Sequence, residues 1–123
     1  MDKLIVAKFG GSAIGVDGEG LPTILNRVKS LKSNSKVIIV CSAPLTKVDG
    51  KKKSLTDVML DLGNNAADGN EFTMEVIEQS YAKILQMVSE KYKLECKEKI
   101  DEMLGLAAKS LTCLLYTSPS PRD

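Results

Sequence analysis

The hydrophobic positions of residues 3–41 fall into a strand, a helix and a second strand. Residues 3–9 and 36–41 are apolar runs rich in β-branched side chains, which predicts two buried strands. Between them, apolar side chains recur every three or four positions around Pro22, which predicts an amphipathic helix over residues 21–32. This order of elements predicts a parallel pair of strands with a right-handed crossover.

The pattern beyond residue 43 is less regular. Residues 44–53 carry an Asp49-Gly50 turn signal and predict a mobile loop. A helix is expected after Ser54, with a break from Gly63 to Gly69. Two apolar stripes at helical spacing then predict an αα-hairpin, with Met74, Ile77, Tyr81, Ile84, Leu85 and Val88 on the first and Cys96, Ile100, Met103, Leu104 and Ala107 on the second.

The lysines of the predicted loop have two interpretations. Lys47, Lys51, Lys52 and Lys53 are suited to contact phosphate or carboxylate oxygens, or they form a solvated face.

Residues 113–123 differ from the sequence before them. We expect the helical pattern to stop there, because Ser-Pro-Ser-Pro can neither continue a helix nor fill a central strand. The string resembles one reading frame of a transposon-type sequencing adapter, and the alternative is a natural disordered tail. We therefore treat residues 113–123 as a disordered, adapter-derived tail and assign the fold to residues 1–112.

Composition narrows the class of protein. The 123 residues carry a formal net charge of +1, with 43% hydrophobic and 27% charged residues, as in an ordinary globular domain. This balance predicts no nucleic-acid partner, and no apolar run approaches the ~20 residues of a membrane span. The three cysteines match neither a metal-binding nor a disulfide pattern, so a reduced, cytoplasmic protein is expected. Because the chain contains no histidine, histidine-based acid–base and triad mechanisms are excluded.

The candidate chemistry lies where the first predicted strand ends. Lys8 is followed by Gly10, Gly11 and Ser12. We expect the glycines to adopt dihedrals closed to other residues and to expose backbone N–H groups beside a fixed cation. That combination suits a polyphosphate. The alternative is a lysine whose stem packs on the sheet beside a simple tight turn.

Two common phosphate motifs are absent. Gly10 and Gly15 have P-loop spacing, but Val16 and Asp17 stand where that motif requires Lys and Ser or Thr. No G-x-G-x-x-G follows the first strand. Ser42, after the second strand, is expected at the same sheet edge as the glycines, because ligands of open parallel sheets collect beyond the carboxyl ends of the strands.

Three segments resemble the amino acid kinase family, and most closely its aspartate kinases. Residues 8–15 (KFGGSAIG) are similar to the amino-terminal K-F-G-G-T-S-V signature, whereas relatives that phosphorylate other substrates more often carry Leu or Ile at Phe9. Residues 37–43 resemble the second strand, which ends in V-V-x-S-A. Residues 54–60 resemble the V-T-N-x-L segment, which places Thr56 at the position of the family's substrate-site threonine.

The resemblance implies a fold class. It predicts an α/β fold that is the N-terminal part of an amino acid kinase-like parallel-sheet sandwich, with a helical hairpin after the second strand. Residues 1–112 would be the truncated N-terminal portion of that domain. The chain departs from the family in carrying Ser12-Ala13 in place of Thr-Ser, and extra residues between Ala43 and Thr56.

The resemblance also implies an activity, the transfer of the γ-phosphoryl group of ATP to the side-chain carboxylate of L-aspartate. The product is 4-phospho-L-aspartate, made in the first step towards lysine, threonine and methionine. Lys8 would act as the catalytic cation and, with Gly10, Gly11 and Ser12, bind the phosphates of ATP, whereas Thr56 and Ser42 would contact aspartate. Mg²⁺ would bridge the phosphates with ligands outside this chain, so no metal site is predicted here.

The expected partners are therefore small molecules, L-aspartate and ATP, with no membrane partner and a homo-oligomeric full-length parent. Because the expected nucleotide-base segments are missing, this chain alone is expected to be inactive. Two alternatives stay open, namely a glutamate, acetylglutamate or carbamate kinase, and a non-catalytic α/β interaction module. For Thr56 itself, the alternative to a substrate contact is a plain residue on a helix surface.

Overall fold

The computed structural model describes residues 3–117 and shows a mixed α/β fold. Its elements in chain order are β1 (Lys3–Phe9), α1 (Gly11–Ile14), α2 (Leu21–Lys32), β2 (Ser35–Cys41), β3 (Leu45–Val48), β4 (Lys51–Ser54), α3 (Leu55–Ala67), α4 (Glu75–Leu85) and α5 (Glu90–Tyr116). They form two compact units, the first ending at Leu55 and the second beginning at Thr56.

The first unit is organised around the parallel pair β1–β2. The two strands run in register from the Lys3–Ser35 pair to the Phe9–Cys41 pair, which confirms the predicted strand–helix–strand arrangement. A hydrogen bond from the Ser42 N–H to the Phe9 carbonyl oxygen (3.0 Å) continues the ladder beyond β2. β2 begins one residue before its predicted start. The prediction that both strands are buried is wrong, because no residue of β1 or β2 is buried and Leu4, Val6 and Val40 are 64%, 63% and 45% exposed.

The core of this unit forms where α2 packs against β2, α1 and the end of β1. Ile24 and Val28, one turn apart on the apolar face of α2, are buried with Ile14, and Phe9 packs against them. Along β1, half-buried residues alternate with exposed ones, as the pleat of a strand requires. Lys8 therefore lies with the exposed Leu4 and Val6 on the face opposite the one that carries Phe9.

Residues 44–53 are not a mobile loop, so that prediction is wrong. β3 and β4 pair antiparallel from Leu45–Ser54 to Val48–Lys51. The Asp49-Gly50 turn signal is correct, since both residues have positive φ (53° and 77°) as a two-residue type I′ hairpin turn requires. The extra residues that separate this chain from the amino acid kinase pattern thus form a β-hairpin.

The second unit consists of α3, α4 and α5. The predicted break at Gly63 is wrong, because α3 continues to Ala67 and fully buries Ala66. The predicted αα-hairpin is confirmed, since α4 and α5 are joined by a four-residue connection and pack against one another. On α5, an ion pair between Lys97 Nζ and Asp101 Oδ2 (2.6 Å) raises the pKa of Lys97.

The helix α5 extends further than its pattern indicated. It ends at Tyr116 and buries Leu111 and Leu115, one turn apart, so the prediction that the helical pattern stops at Cys113 is wrong for residues 113–116. Residues 118–123 of the predicted tail lie outside the described residues, and its adapter origin stays a prediction. No helix within residues 3–117 has the length and apolar character needed to cross a membrane.

Candidate functional site

Lys8 is the penultimate residue of β1 and pairs with Val40 of β2. Its side chain is exposed, on the face of the sheet away from Phe9 and the core. The alternation of the strand thus keeps a cation at the carboxyl edge of the parallel pair, as the sequence predicted.

The glycine turn, residues 10–12, follows immediately and changes the chain from strand to helix. The Gly10 carbonyl oxygen accepts hydrogen bonds from the N–H groups of Ala13 and Ile14, both at 3.1 Å. The Gly11 and Ser12 N–H groups stand at the start of α1, where the helix provides no acceptor. These two amides, with the exposed Ser12 hydroxyl, are hydrogen-bond donors at the same edge as Lys8.

The glycines of this turn do not have the special backbone dihedrals that the sequence predicted. Gly10 has an extended conformation (φ −76°, ψ 171°), and neither Gly10 nor Gly11 has positive φ, so the expectation of special dihedrals is wrong. A Cβ atom on Gly10 would meet nothing within 4 Å, whereas one on Gly11 would lie 3.2 Å from the Ala43 carbonyl oxygen. At Gly10, glycine therefore keeps open space in front of the turn.

Residues 15–20 form a second, closed loop behind the glycine turn. Gly15 and Gly18 have positive φ (80° and 77°), and the Gly20 N–H donates to the Ile14 carbonyl oxygen at 2.7 Å. A Cβ atom on Gly20 would lie 1.8 Å from the Ala13 carbonyl oxygen, so no larger residue fits without moving the backbone. This loop fixes the end of α1 and thereby the position of the glycine turn.

The β3–β4 hairpin is attached to this loop by three hydrogen bonds. The Leu45 N–H donates to the Gly15 carbonyl oxygen (3.1 Å), and the Asp17 N–H donates to the Leu45 carbonyl oxygen (2.7 Å). The Thr46 hydroxyl donates to Asp17 Oδ1 (3.0 Å), and Thr46 is only 5% exposed. Sequence reasoning missed this contact, because Asp17-Gly18 signals a turn but nothing indicates a partner 29 positions away.

The structure brings the predicted residues Lys8, Gly10, Gly11, Ser12 and Ser42 to one edge of the first unit. Ser42 is exposed and bonded through its N–H to Phe9, the residue before the glycine turn.

Thr56 belongs to the second unit, where it is the second residue of α3 and exposed. Its proximity to the other predicted residues stays a prediction.

No cluster of metal ligands stands out in the described part of the chain. Within residues 3–117, no three His, Cys, Asp or Glu side chains are grouped so that they could hold a metal ion. We therefore assign no metal-binding role to these residues.

Comparison with known proteins identifies the family. A search of curated proteins and a search of solved structures each gave no match. A sequence model of the amino acid kinase family matches residues 3–118, a range that includes β1, the glycine turn, Ser42 and Thr56. The chain therefore belongs to the amino acid kinase family, whose members are phosphotransferases acting on small molecules.

Proposed function

We propose that this chain is the N-terminal part of an aspartate kinase that acts in the cytoplasm and transfers the γ-phosphoryl group of ATP to L-aspartate. One observation carries the phosphate-binding half of this proposal. An exposed lysine and an open glycine turn meet at the carboxyl edge of a parallel strand pair, in a chain of the amino acid kinase family.

The residues of the glycine turn have the chemistry that a triphosphate requires. A carboxylate oxygen of aspartate attacks the γ-phosphorus while the bond from that phosphorus to the β–γ bridging oxygen breaks, which yields an acyl phosphate and ADP. Negative charge on the phosphoryl oxygens is stabilised by pre-positioned donors. We assign the ammonium group of Lys8, the Gly11 and Ser12 N–H groups and the Ser12 hydroxyl to that task.

The choice of aspartate depends on three residues. Phe9 and Thr56 occupy positions that resemble those of aspartate kinases, and Ser42 lies at the same edge as the glycine turn. We propose that Ser42 and Thr56 contact L-aspartate. A Mg²⁺ ion would balance part of the phosphate charge when bound. Residues 3–117 contain no group of three metal-ligating side chains, so we assign none of them to that ion.

The experiment is an NMR titration of the ¹⁵N-labelled chain with ATP and, separately, with inorganic tripolyphosphate. We expect the amide signals of residues 10–12 to shift in both titrations. We expect Lys8→Ala to weaken binding about tenfold, the effect of losing one charge-assisted contact. Lys3→Ala is the control, because it removes the same charge from another exposed position of the same strand, about 17 Å away and on its opposite face.

Two results would overturn the proposal. Equal affinities of Lys8→Ala and Lys3→Ala for ATP and tripolyphosphate would show that Lys8 is not part of a phosphate site. A parallel titration with L-aspartate and L-glutamate should shift the Ser42 and Thr56 amides with L-aspartate alone. A response to L-glutamate alone would assign the chain to another branch of the family.

A further inference from the structure

The β3–β4 hairpin concentrates positive charge in a nearly neutral chain. Residues 45–54 contain four lysines and one aspartate, whereas the whole chain has a formal net charge of +1. The hairpin is also held in place, since the buried Thr46 hydroxyl and the Leu45 backbone bind the loop behind the glycine turn. Its lysines are therefore part of the first unit and not a freely moving arm.

Two of these lysines lie on the same face of the hairpin as Leu45, the hairpin residue next to the glycine turn. Leu45 points towards the turn, because its Cδ2 atom would lie 3.4 Å from a Cβ atom on Gly11. Side chains two positions apart share a strand face, so Lys47 is on the same face as Leu45, about 7 Å further along. Lys52 is paired directly opposite Lys47 and shares that face.

The Lys47–Lys52 pair is unfavourable without a ligand. The two residues form the pair next to the Val48–Lys51 pair that closes the turn. In such a hairpin this position is the non-hydrogen-bonded one, where the Cα atoms are only about 4.5 Å apart. Like charges directly opposite one another destabilise a strand pair. Both side chains are exposed, and neither forms an ion pair with a carboxylate within residues 3–117.

We propose that Lys47 and Lys52 together bind phosphate oxygens of the nucleotide whose other oxygens contact Lys8 and the glycine turn. The inference depends on the proposed function, because it adds a second cationic element to the same ligand. An anion between the two ammonium groups replaces repulsion with two charge-assisted hydrogen bonds. The hairpin corresponds to the extra residues between Ala43 and Thr56, so this contact is a property of this chain and not part of the family resemblance.

The test measures the affinity for tripolyphosphate and the thermal midpoint of the ligand-free protein in the same variants. We expect Lys47→Ala and Lys52→Ala each to weaken binding about fivefold, and Lys52→Glu to weaken it further. In the absence of ligand, the same substitutions should raise the midpoint or leave it unchanged, because they relieve repulsion. The control is Lys36→Ala, an exposed lysine at the opposite end of β2.

The outcomes separate the two proposals. Unchanged affinity in the hairpin variants, with weaker binding in Lys8→Ala, would overturn this inference and leave the proposed function standing. Unchanged affinity in Lys8→Ala would overturn the proposed function and, with it, the shared ligand. A lower ligand-free midpoint in the hairpin variants would assign the lysines a structural role and contradict the inference.

Discussion

The glycine turn at residues 10–12 and the loop at residues 15–20 are adjacent and rich in glycine, yet they use it in opposite ways. At Gly10 a Cβ atom would meet nothing, and the backbone conformation is one that any residue adopts. At Gly20 a Cβ atom would collide with the Ala13 carbonyl oxygen, and at Gly15 the φ of 80° disfavours other residues. The first turn therefore has open space in front of it, which we propose a ligand occupies, whereas the second loop is closed by its own backbone.

Glycines in this stretch therefore have two separate roles, one in leaving space in front of a turn and one in closing a backbone loop. The closed loop sets where α1 ends and where the hairpin attaches, and both determine the position of the open turn. Substitutions in the loop should lower stability, whereas substitutions in the turn should lower affinity.

The largest loss of stability is expected for Gly20→Ala. The new methyl group would lie 1.8 Å from a backbone oxygen that no side-chain rotation can move. We expect a loss of about 3 kcal/mol or more in the free energy of unfolding, at the upper end for overpacking. Urea denaturation followed by circular dichroism measures it. A loss below about 0.5 kcal/mol would show that the loop is not closed.

A smaller effect is expected for Thr46→Val, which keeps the shape of the side chain and removes the hydroxyl that donates to Asp17. The loss of this part-buried hydrogen bond to a carboxylate should cost about 1–3 kcal/mol, whereas Thr46→Ser should retain much of the stability. The matched control is Thr112→Val on α5, where the lost hydrogen bond to the Ala108 carbonyl oxygen is exposed. Equal costs at the two sites would contradict a role for Thr46 in attaching the hairpin.

The smallest effect on stability is expected for Gly10→Ala. The free energy of unfolding should stay within about 0.5 kcal/mol of the parent or rise slightly, because the methyl group has room and the φ is permitted. Affinity for tripolyphosphate should nevertheless fall, since the methyl group occupies the ligand's space.

Gly63→Ala provides the comparison for Gly10→Ala. Gly63 also has open space around its Cβ position, but it lies inside α3. We expect this variant to gain up to about 1 kcal/mol of stability from helix propensity and to bind tripolyphosphate unchanged. If the two alanine variants behave alike in both assays, the open turn has no special role.

The positions of the first unit's elements were predicted closely, but the burial of its strands was not. β1, α2 and β2 lie within one residue of their predicted bounds, because apolar runs and helical periodicity mark them. The strands are not buried as predicted, since β2 leaves Ile38, Ile39 and Val40 45–49% exposed. In α3, local helix propensity and packing favour different ends of the helix. Gly63 costs about 1 kcal/mol of helix propensity, but burial of Ala66 beyond it extends the helix.

The hairpin could not be predicted from residues 44–53 alone. Because residues 51–53 are all lysine, the segment shows no alternation of apolar and polar side chains. A two-stranded hairpin is also only marginally stable unless other parts of the chain contact it. The support comes from Gly15 and Asp17, about thirty positions earlier in the chain. The candidate site was predictable as far as it depends on the ends of β1 and β2, because parallel strands align their carboxyl ends.

The tip of the hairpin is a site where the chain can change length. Asp49 and Gly50 are exposed, and a Cβ atom on Gly50 would touch nothing within 4 Å. Insertions are tolerated best at such tips, since no buried hydrogen bond is disturbed. A longer or shorter tip should therefore change the length and charge of the hairpin without breaking the hydrogen bonds that attach its base at Leu45 and Thr46.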